Sequence, residues 1–190
     1  MKRMVKLATN KYSRSVTFAI ILRLIFGPLI FFSIWITVIA NFIIDWSDGE
    51  VFKRSVWKRQ DYSWYDKVLD QYWYCFILGY VFYINTPGKW LFLSLFVYRT
   101  IGFLLYLKTK KEILFQFFPN LFEIFFFFYL LTTINPQLVK YLEMPKAIYP
   151  LVVIIPIVLV REYLLHVKNM NLSWFFTGKT TYWVDDKKKR

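Results

Sequence analysis

Histidine and cysteine are almost absent from this chain, with one of each among 190 residues. The single cysteine, Cys75, lies inside an apolar run, which excludes a disulfide framework and a thiolate metal site. One histidine cannot form a histidine metal cluster, and no Ser-His-Asp arrangement is seen. The six glycines form no Gly-rich phosphate loop. Any metal chemistry must therefore depend on oxygen ligands.

Acidic residues are also scarce, whereas apolar residues are abundant. Hydrophobic residues make up 57% of the chain and aromatic residues 23%, which is too apolar for a soluble fold of this length. No cleavable signal peptide is evident, because the first apolar run is too long and lacks a small-residue cleavage site. Runs near the length of a helical span, about 20 residues, occur at 16–44, 71–86 with its flanks, 90–107, 113–134 and 147–165. We therefore expect an all-α integral membrane protein.

The net charge of +13 comes in short basic blocks between the apolar runs. This distribution argues against a nucleic acid polymer as partner, since the cations do not cover a soluble face. By the positive-inside rule, the basic blocks predict a cytoplasmic location for the N-terminus (1–15), the aspartate-containing loop, the loop at Lys108–Lys111 and the tail (168–190). Such a face attracts anionic lipid head groups or phosphorylated substrates.

The stretch 16–44 decides how many spans the chain has. A single crossing would put the basic segments on its two sides in different compartments. A hairpin solves this, with one span from about Tyr12 to Phe32 and another from about Ile34 into Phe52. We then expect one membrane domain, 1–190, of about six spans in the plasma (inner) membrane, with both termini cytoplasmic. An interfacial N-terminal helix is the alternative.

Four aspartates lie between the first long apolar stretch and the second: Asp45, Asp48, Asp66 and Asp70. An Asp at the centre of a spanning helix costs about 2.5 to 3.5 kcal/mol, so several at a membrane border need a common partner. Helical residues three or four apart share a face, which predicts two facing carboxylate pairs. Clustered oxygens suit a divalent cation. If Asp45 and Asp66 were more than about 10 Å apart, this hypothesis would fail.

The segment resembles the motif of the CDP-alcohol phosphatidyltransferase family, D-x2-D-G-x2-A-R-x8-G-x3-D-x3-D. The four aspartates and Gly49 fall on its four Asp positions and its first Gly position without insertion or deletion. Thr17–Phe31, with Arg23 shortly before Pro28, is similar to the family's first helix, and Arg99 is similar to an arginine on its fourth helix. The resemblance implies a six-span helical enzyme, often homodimeric.

The resemblance also implies roles for these residues. Asp45, Asp48 and Asp66 would hold Mg²⁺ or Mn²⁺, while Asp70 would be a shared metal ligand and the general base for the acceptor alcohol. The donor would be a CDP-linked lipid. The remaining candidates for binding it are the motif's Gly49, the cations Lys53 and Arg99 toward its phosphates, and Arg54 as a neighbour that could substitute for Lys53.

Two positions depart from the family pattern. Phe52-Lys53 stands where the motif has Ala-Arg, which keeps a cation but loses the bidentate fork of arginine. Tyr62 replaces the second Gly, where the family needs a surface free of side chains near the cytidine. A phenol there should crowd a cytidine bound in the usual way.

Three other interpretations stay open. The chain could be a non-catalytic membrane subunit whose aspartates form salt bridges with the interleaved cations. It could also be an inactive relative that keeps the family's fold. A small transporter is disfavoured, because the charged residues cluster at one face rather than at the midplane.

Overall fold

The structure is a computed structural model that describes residues 11–53 and 59–167. The described residues form helices and contain no strand, which confirms the all-α prediction. The seven α-helices among them are α1 Lys11–Leu29, α2 Ile34–Lys53, α3 Arg59–Tyr83, α4 Lys89–Thr109, α5 Leu114–Phe117, α6 Leu121–Ile134 and α7 Ile148–Glu162. A 3-10 helix, Pro136–Tyr141, follows α6, and α7 continues into a π-helical turn, Tyr163–Val167.

The described residues fall into two compact units, and the division along the chain lies within α3, between Phe76 and Ile77. The first unit contains α1, α2 and α3 as far as Phe76, and the second contains the described residues from Ile77 onward. The single membrane domain over 1–190 stays a prediction. Each unit is described by itself below.

Helices α1 and α2 form the hairpin that is one of the two interpretations of the 16–44 stretch. The chain bends between Leu29 and Ile34, and the α2 backbone begins with a hydrogen bond from Thr37 N to Ser33 O at 3.1 Å. Val16, early in α1, packs with Phe52, near the end of α2, so the two helices run antiparallel. Whether each helix crosses a membrane stays a prediction.

Close contact at Gly27 brings α1 against α3. A Cβ at Gly27 would lie 2.7 Å from Cε1 of Tyr72 and 2.8 Å from Cδ2 of Phe76, so any larger residue would force these rings to move. Pro28 has no N–H to donate to the Leu24 carbonyl. The Tyr72 hydroxyl donates to that carbonyl instead, at 2.8 Å. This contact holds α1 against α3 one residue away from Arg23.

The second unit is built around buried aromatic rings. Phe92 of α4 contacts four rings of α6, and its centroid lies 5.0 Å from that of Phe125. The expected continuous run 113–134 is divided, because Pro119 and Asn120 separate α5 from α6. Asn120 caps α6 by accepting a hydrogen bond from Glu123 N at 3.3 Å.

Two helices in the described part of the chain are long and apolar enough to cross a membrane, Lys89–Thr109 and Ile148–Leu165. Only 22% and 17% of their most apolar stretches are buried, whereas the core helix of a soluble protein would be mostly buried. Three further apolar helices are shorter: Ser15–Leu29, Ile34–Asp45 and Leu121–Ile134. The six-span bundle is therefore not confirmed.

Candidate functional site

The four predicted aspartates come together in the first unit and are called the carboxylate cluster below. Asp45 and Asp48 lie three residues apart on α2, while Asp66 and Asp70 lie four apart on α3. One carboxylate oxygen each of Asp45, Asp48 and Asp66 lies within 4.8 Å of the others. The separation is well inside the limit of about 10 Å that would have excluded a shared cation.

Arg23 lies among all four carboxylates. Its Nη1 is 2.8 Å from Oδ2 of Asp48 and 3.3 Å from Oδ1 of Asp66. Its Nη2 is 2.9 Å from Oδ1 of Asp45 and 2.6 Å from Oδ1 of Asp70. The Arg23 side chain is 2% exposed, and so is that of Asp48, so water screens this ion pair little, whereas the Asp45 side chain is 46% exposed. The guanidinium therefore links α1 to both aspartate-bearing helices.

Two further side chains, those of Lys67 and Tyr62, contact the cluster. Lys67 Nζ lies 2.7 Å from Oδ2 of Asp66 and 3.3 Å from Oδ2 of Asp70. The Tyr62 hydroxyl donates to Oδ1 of Asp48 at 2.9 Å. With every group ionised, four carboxylates and the two cations of Arg23 and Lys67 leave a formal charge of minus two.

The two departures from the family motif pack against each other beside the cluster. The rings of Phe52 and Tyr62 have centroids 5.0 Å apart, and Phe52 is buried with Val16. Tyr62 and Ile20 pack against the same small core. The apolar contacts orient the Tyr62 ring, so that its hydroxyl reaches Asp48. Tyr62 therefore lies directly beside the carboxylate cluster, and whether it would crowd a cytidine stays a prediction.

Two titratable groups of the site lie ahead of the apolar part of α3. Burial of the Asp66 carboxyl raises its pKa, but the charges and hydrogen bonds of Lys67 and Arg23 outweigh this, so its pKa is lowered from the usual value. Burial, with the nearby carboxylates, raises the pKa of the Tyr62 phenol well above its usual range. At neutral pH Asp66 is therefore ionised and Tyr62 keeps its proton.

The structure places the other predicted site residues as follows. Gly49 lies within α2, directly after Asp48, and Lys53 is the last residue of α2. The Lys53 side chain and all of Arg54 lie outside what the structure describes. Arg99 belongs to the second unit, where its Nη1 donates to the Phe118 carbonyl at 2.5 Å and its guanidinium stacks on the Phe115 ring. The phosphate-binding roles of these residues stay predictions.

Arg23 is the site residue whose role the sequence interpretation missed, since it was noted only as part of the similar first helix. The signal was a lone cation within the apolar stretch 16–44. A charge in such a stretch needs a buried partner of opposite sign. The nearby surplus of carboxylates was the obvious source of that partner.

Three residues of the carboxylate cluster, Asp45, Asp48 and Asp66, are close enough to hold one metal ion together. Mg²⁺ and Mn²⁺ prefer carboxylate oxygens, and each of the three residues can offer one. A site built this way suits phosphoryl transfer, which needs charge neutralisation more than covalent chemistry. Comparisons of this chain with family models, with curated proteins and with solved structures find no match.

Proposed function

We propose that this protein is a membrane enzyme similar to CDP-alcohol phosphatidyltransferases. It transfers a substituted phosphoryl group from a CDP-linked lipid donor to an alcohol acceptor in phospholipid synthesis. The observation that carries the proposal is the convergence of four aspartates that have the family's spacing. Bound Mg²⁺ or Mn²⁺ would neutralise the charge that develops on the phosphate oxygens.

The four aspartates have two different roles in this proposal, metal binding and proton acceptance. Asp45, Asp48 and Asp66 hold the metal through their carboxylate oxygens. Asp70 accepts the hydroxyl proton of the acceptor while the acceptor oxygen bonds to the donor phosphorus, and the bond from that phosphorus to CMP breaks. Asp70 Oδ2 is the better oxygen for this task, since its contact with Lys67 is 3.3 Å whereas Oδ1 lies 2.6 Å from Arg23.

The proposal includes the membrane topology that the charge blocks predict. Six spans would place the carboxylate cluster at the cytoplasmic face of the plasma (inner) membrane, with both termini in the cytoplasm. Two apolar helices of sufficient length support a membrane location. A homodimer is expected from the family resemblance. A reporter protein that is active only in the cytoplasm should be active when fused after Arg190. A reporter that is active only outside the cytoplasm should be inactive at the same position.

Turnover of radiolabelled CDP-diacylglycerol tests the activity directly. The purified protein is supplied with Mn²⁺ and a panel of alcohols, and the labelled lipid products are separated. The wild type should convert at least one alcohol, and Asp70→Asn should lose at least about a hundredfold in rate, since general bases contribute about 10² to 10⁴. Asp61→Asn, on an exposed aspartate in the first turn of α3, is the matched control.

A second candidate function is a non-catalytic membrane subunit or inactive relative, and the position of Arg23 favours it. A guanidinium that contacts four carboxylates can make the cluster a structural salt-bridge network. This alternative predicts no turnover with any alcohol and no loss on Asp70→Asn. It also predicts that Mn²⁺ does not bind to the cluster.

A further inference from the structure

We propose that Arg23 and a divalent cation compete for the same carboxylates, so that Arg23 closes the metal site until a metal displaces it. The inference rests on the proposed metal site and adds a regulatory role for a residue outside the family motif. Arg23 would act as a positioning residue, because it holds the aspartates together rather than touching the substrate.

The first argument is geometric. Arg23 Nη1 contacts Asp48 and Asp66, and these two residues are also among the three whose oxygens lie within 4.8 Å of one another. Nη2 contacts Asp45, the third member of that set. All three residues that could hold a metal therefore already contact the guanidinium. A cation among them must share or replace these contacts.

The second argument concerns charge. Arg23 supplies one positive charge to four carboxylates, and Lys67 supplies a second, which leaves a formal charge of minus two. The monovalent guanidinium thus neutralises the cluster incompletely in a buried environment, where uncompensated charge is costly. With Arg23 displaced, the four carboxylates and Lys67 carry a formal charge of minus three. One divalent cation in place of the guanidinium reduces this to minus one, so it neutralises the cluster more fully than Arg23 does.

The third argument comes from a buried polar atom on the helix that carries Asp45 and Asp48. Asn41 lies one helical turn before Asp45 on α2 and is 6% exposed. Its Oδ1 is buried and has no hydrogen-bond partner among residues 11–53 and 59–167. Buried polar groups are normally hydrogen-bonded or bind a ligand, and an amide oxygen is a suitable ligand for a hard cation. The Asn41 oxygen therefore indicates that this face of α2 takes up a further polar group.

Arg23 can leave the cluster without moving its helix. The α1 backbone is held separately, through the Leu24 carbonyl and the close approach at Gly27. The arginine side chain has several rotatable bonds and can lay its alkyl part along an apolar surface. Exchange of a guanidinium for a metal thus requires a rotamer change rather than a helix movement.

Mn²⁺ binding, measured by electron paramagnetic resonance on the full-length protein, tests the competition. The wild type is compared with Arg23→Gln and with Arg161→Gln, a matched control in the last turn of α7. Arg23→Gln should bind Mn²⁺ at least about tenfold more tightly, whereas Arg161→Gln should not differ from the wild type. Equal or weaker binding by folded Arg23→Gln would overturn the proposal.

A second measurement keeps the test decisive if Arg23→Gln does not fold. Phenylglyoxal modifies accessible guanidinium groups, and peptide mass spectrometry reports the modification at each arginine of the wild type. Labelling of Arg23 should rise several-fold when Mn²⁺ is added, while labelling of Arg161 should stay constant. Unchanged or reduced labelling of Arg23 in the presence of Mn²⁺ would overturn the competition.

Neither measurement depends on turnover, so the two proposals can fail separately. Tighter Mn²⁺ binding by Arg23→Gln without turnover of any alcohol would keep the competition and reject the enzyme. Turnover by the wild type, with no tighter Mn²⁺ binding by Arg23→Gln, would keep the enzyme and reject the competition.

Discussion

In the part of the chain that the structure describes, each unit buries one arginine within an apolar helix, and the two arginines have different partners. Arg23 in the first unit contacts four carboxylates. Arg99 in the second unit has a backbone carbonyl, that of Phe118, and the face of the Phe115 ring. Arg99 shows that a buried arginine in this protein can be satisfied by neutral groups. The carboxylate excess around Arg23 is therefore the feature that calls for a functional explanation.

The two units also differ in the side chains that they bury, with aromatic rings in the second unit and polar groups on α2 in the first. The second unit, to which Arg99 belongs, has a core of aromatic rings, with Phe92, Phe122, Phe125 and Phe126 fully buried. Around Arg23 the first unit places polar groups on one face of α2, where Thr37 and Asn41 are buried ahead of the aspartates. The rings stabilise the second unit by burying apolar surface. Burial of the polar face of α2 brings no such gain, which favours a binding role.

The largest expected effect comes from deleting each arginine. Arg23→Leu leaves buried carboxylates with Lys67 as their described cation and should destabilise the first unit by about 3 to 5 kcal/mol. Arg99→Leu leaves one carbonyl without its donor and should lower stability by about 1 to 3 kcal/mol. Denaturant titration in detergent measures both. Adding Asp48→Asn to Arg23→Leu should restore part of the loss, and equal effects of the two single changes would contradict the contrast.

Adding a methyl group at the close approach in each unit should give an intermediate effect. At Gly102 a Cβ would lie 2.3 Å from Cβ of Phe118, an atom that cannot move without the backbone. At Gly27 it would meet ring atoms of Tyr72 and Phe76, which can rotate. We expect losses of about 3 kcal/mol for Gly102→Ala and about 1 kcal/mol for Gly27→Ala in thermal unfolding. The reverse order would show that the first unit is the more tightly packed.

The smallest expected effect comes from removing one tyrosine hydroxyl in each unit. Tyr62 donates to a carboxylate, Asp48, while Tyr98 donates to the Phe117 carbonyl. Hydrogen bonds to charged groups contribute more, so Tyr62→Phe should cost about 1.5 kcal/mol and Tyr98→Phe about 0.5 kcal/mol. Unfolding of the two variants under identical conditions gives the comparison. A larger loss for Tyr98→Phe would mean that the Tyr62 bond to Asp48 contributes little.

Spacing along the chain predicted the parts of the site that depend on helix periodicity. Asp45 with Asp48 and Asp66 with Asp70 share faces because residues three or four apart do so in any helix. The antiparallel arrangement of α1 and α2 required more, since it depends on packing between the two helices. Arg23 could not be placed, because its position depends on how α1 approaches α3. That approach depends on Gly27 and the Tyr72 hydroxyl.

The division of the 113–134 run shows where sequence composition gave the wrong prediction. Its apolar composition predicted one continuous helix, but Pro119 and the Asn120 cap begin a new one. Helix α6 has 14 residues, so at about 1.5 Å per residue it is shorter than a bilayer core of about 30 Å. Average composition over a window of residues hardly changes when it includes one proline and one capping residue. The backbone, in contrast, starts a new helix after these two residues.

Mn²⁺ binding by aspartate variants tests the central claim most directly, namely that the carboxylate cluster is a divalent metal site. Electron paramagnetic resonance titration should detect Mn²⁺ on the wild type and on Asp61→Asn. Binding should fall at least about tenfold in Asp48→Asn and in Asp66→Asn, each of which removes one of the converging oxygens. Equal Mn²⁺ binding by all four proteins, or none by any of them, would contradict the metal site and leave the cluster a salt-bridge network around Arg23.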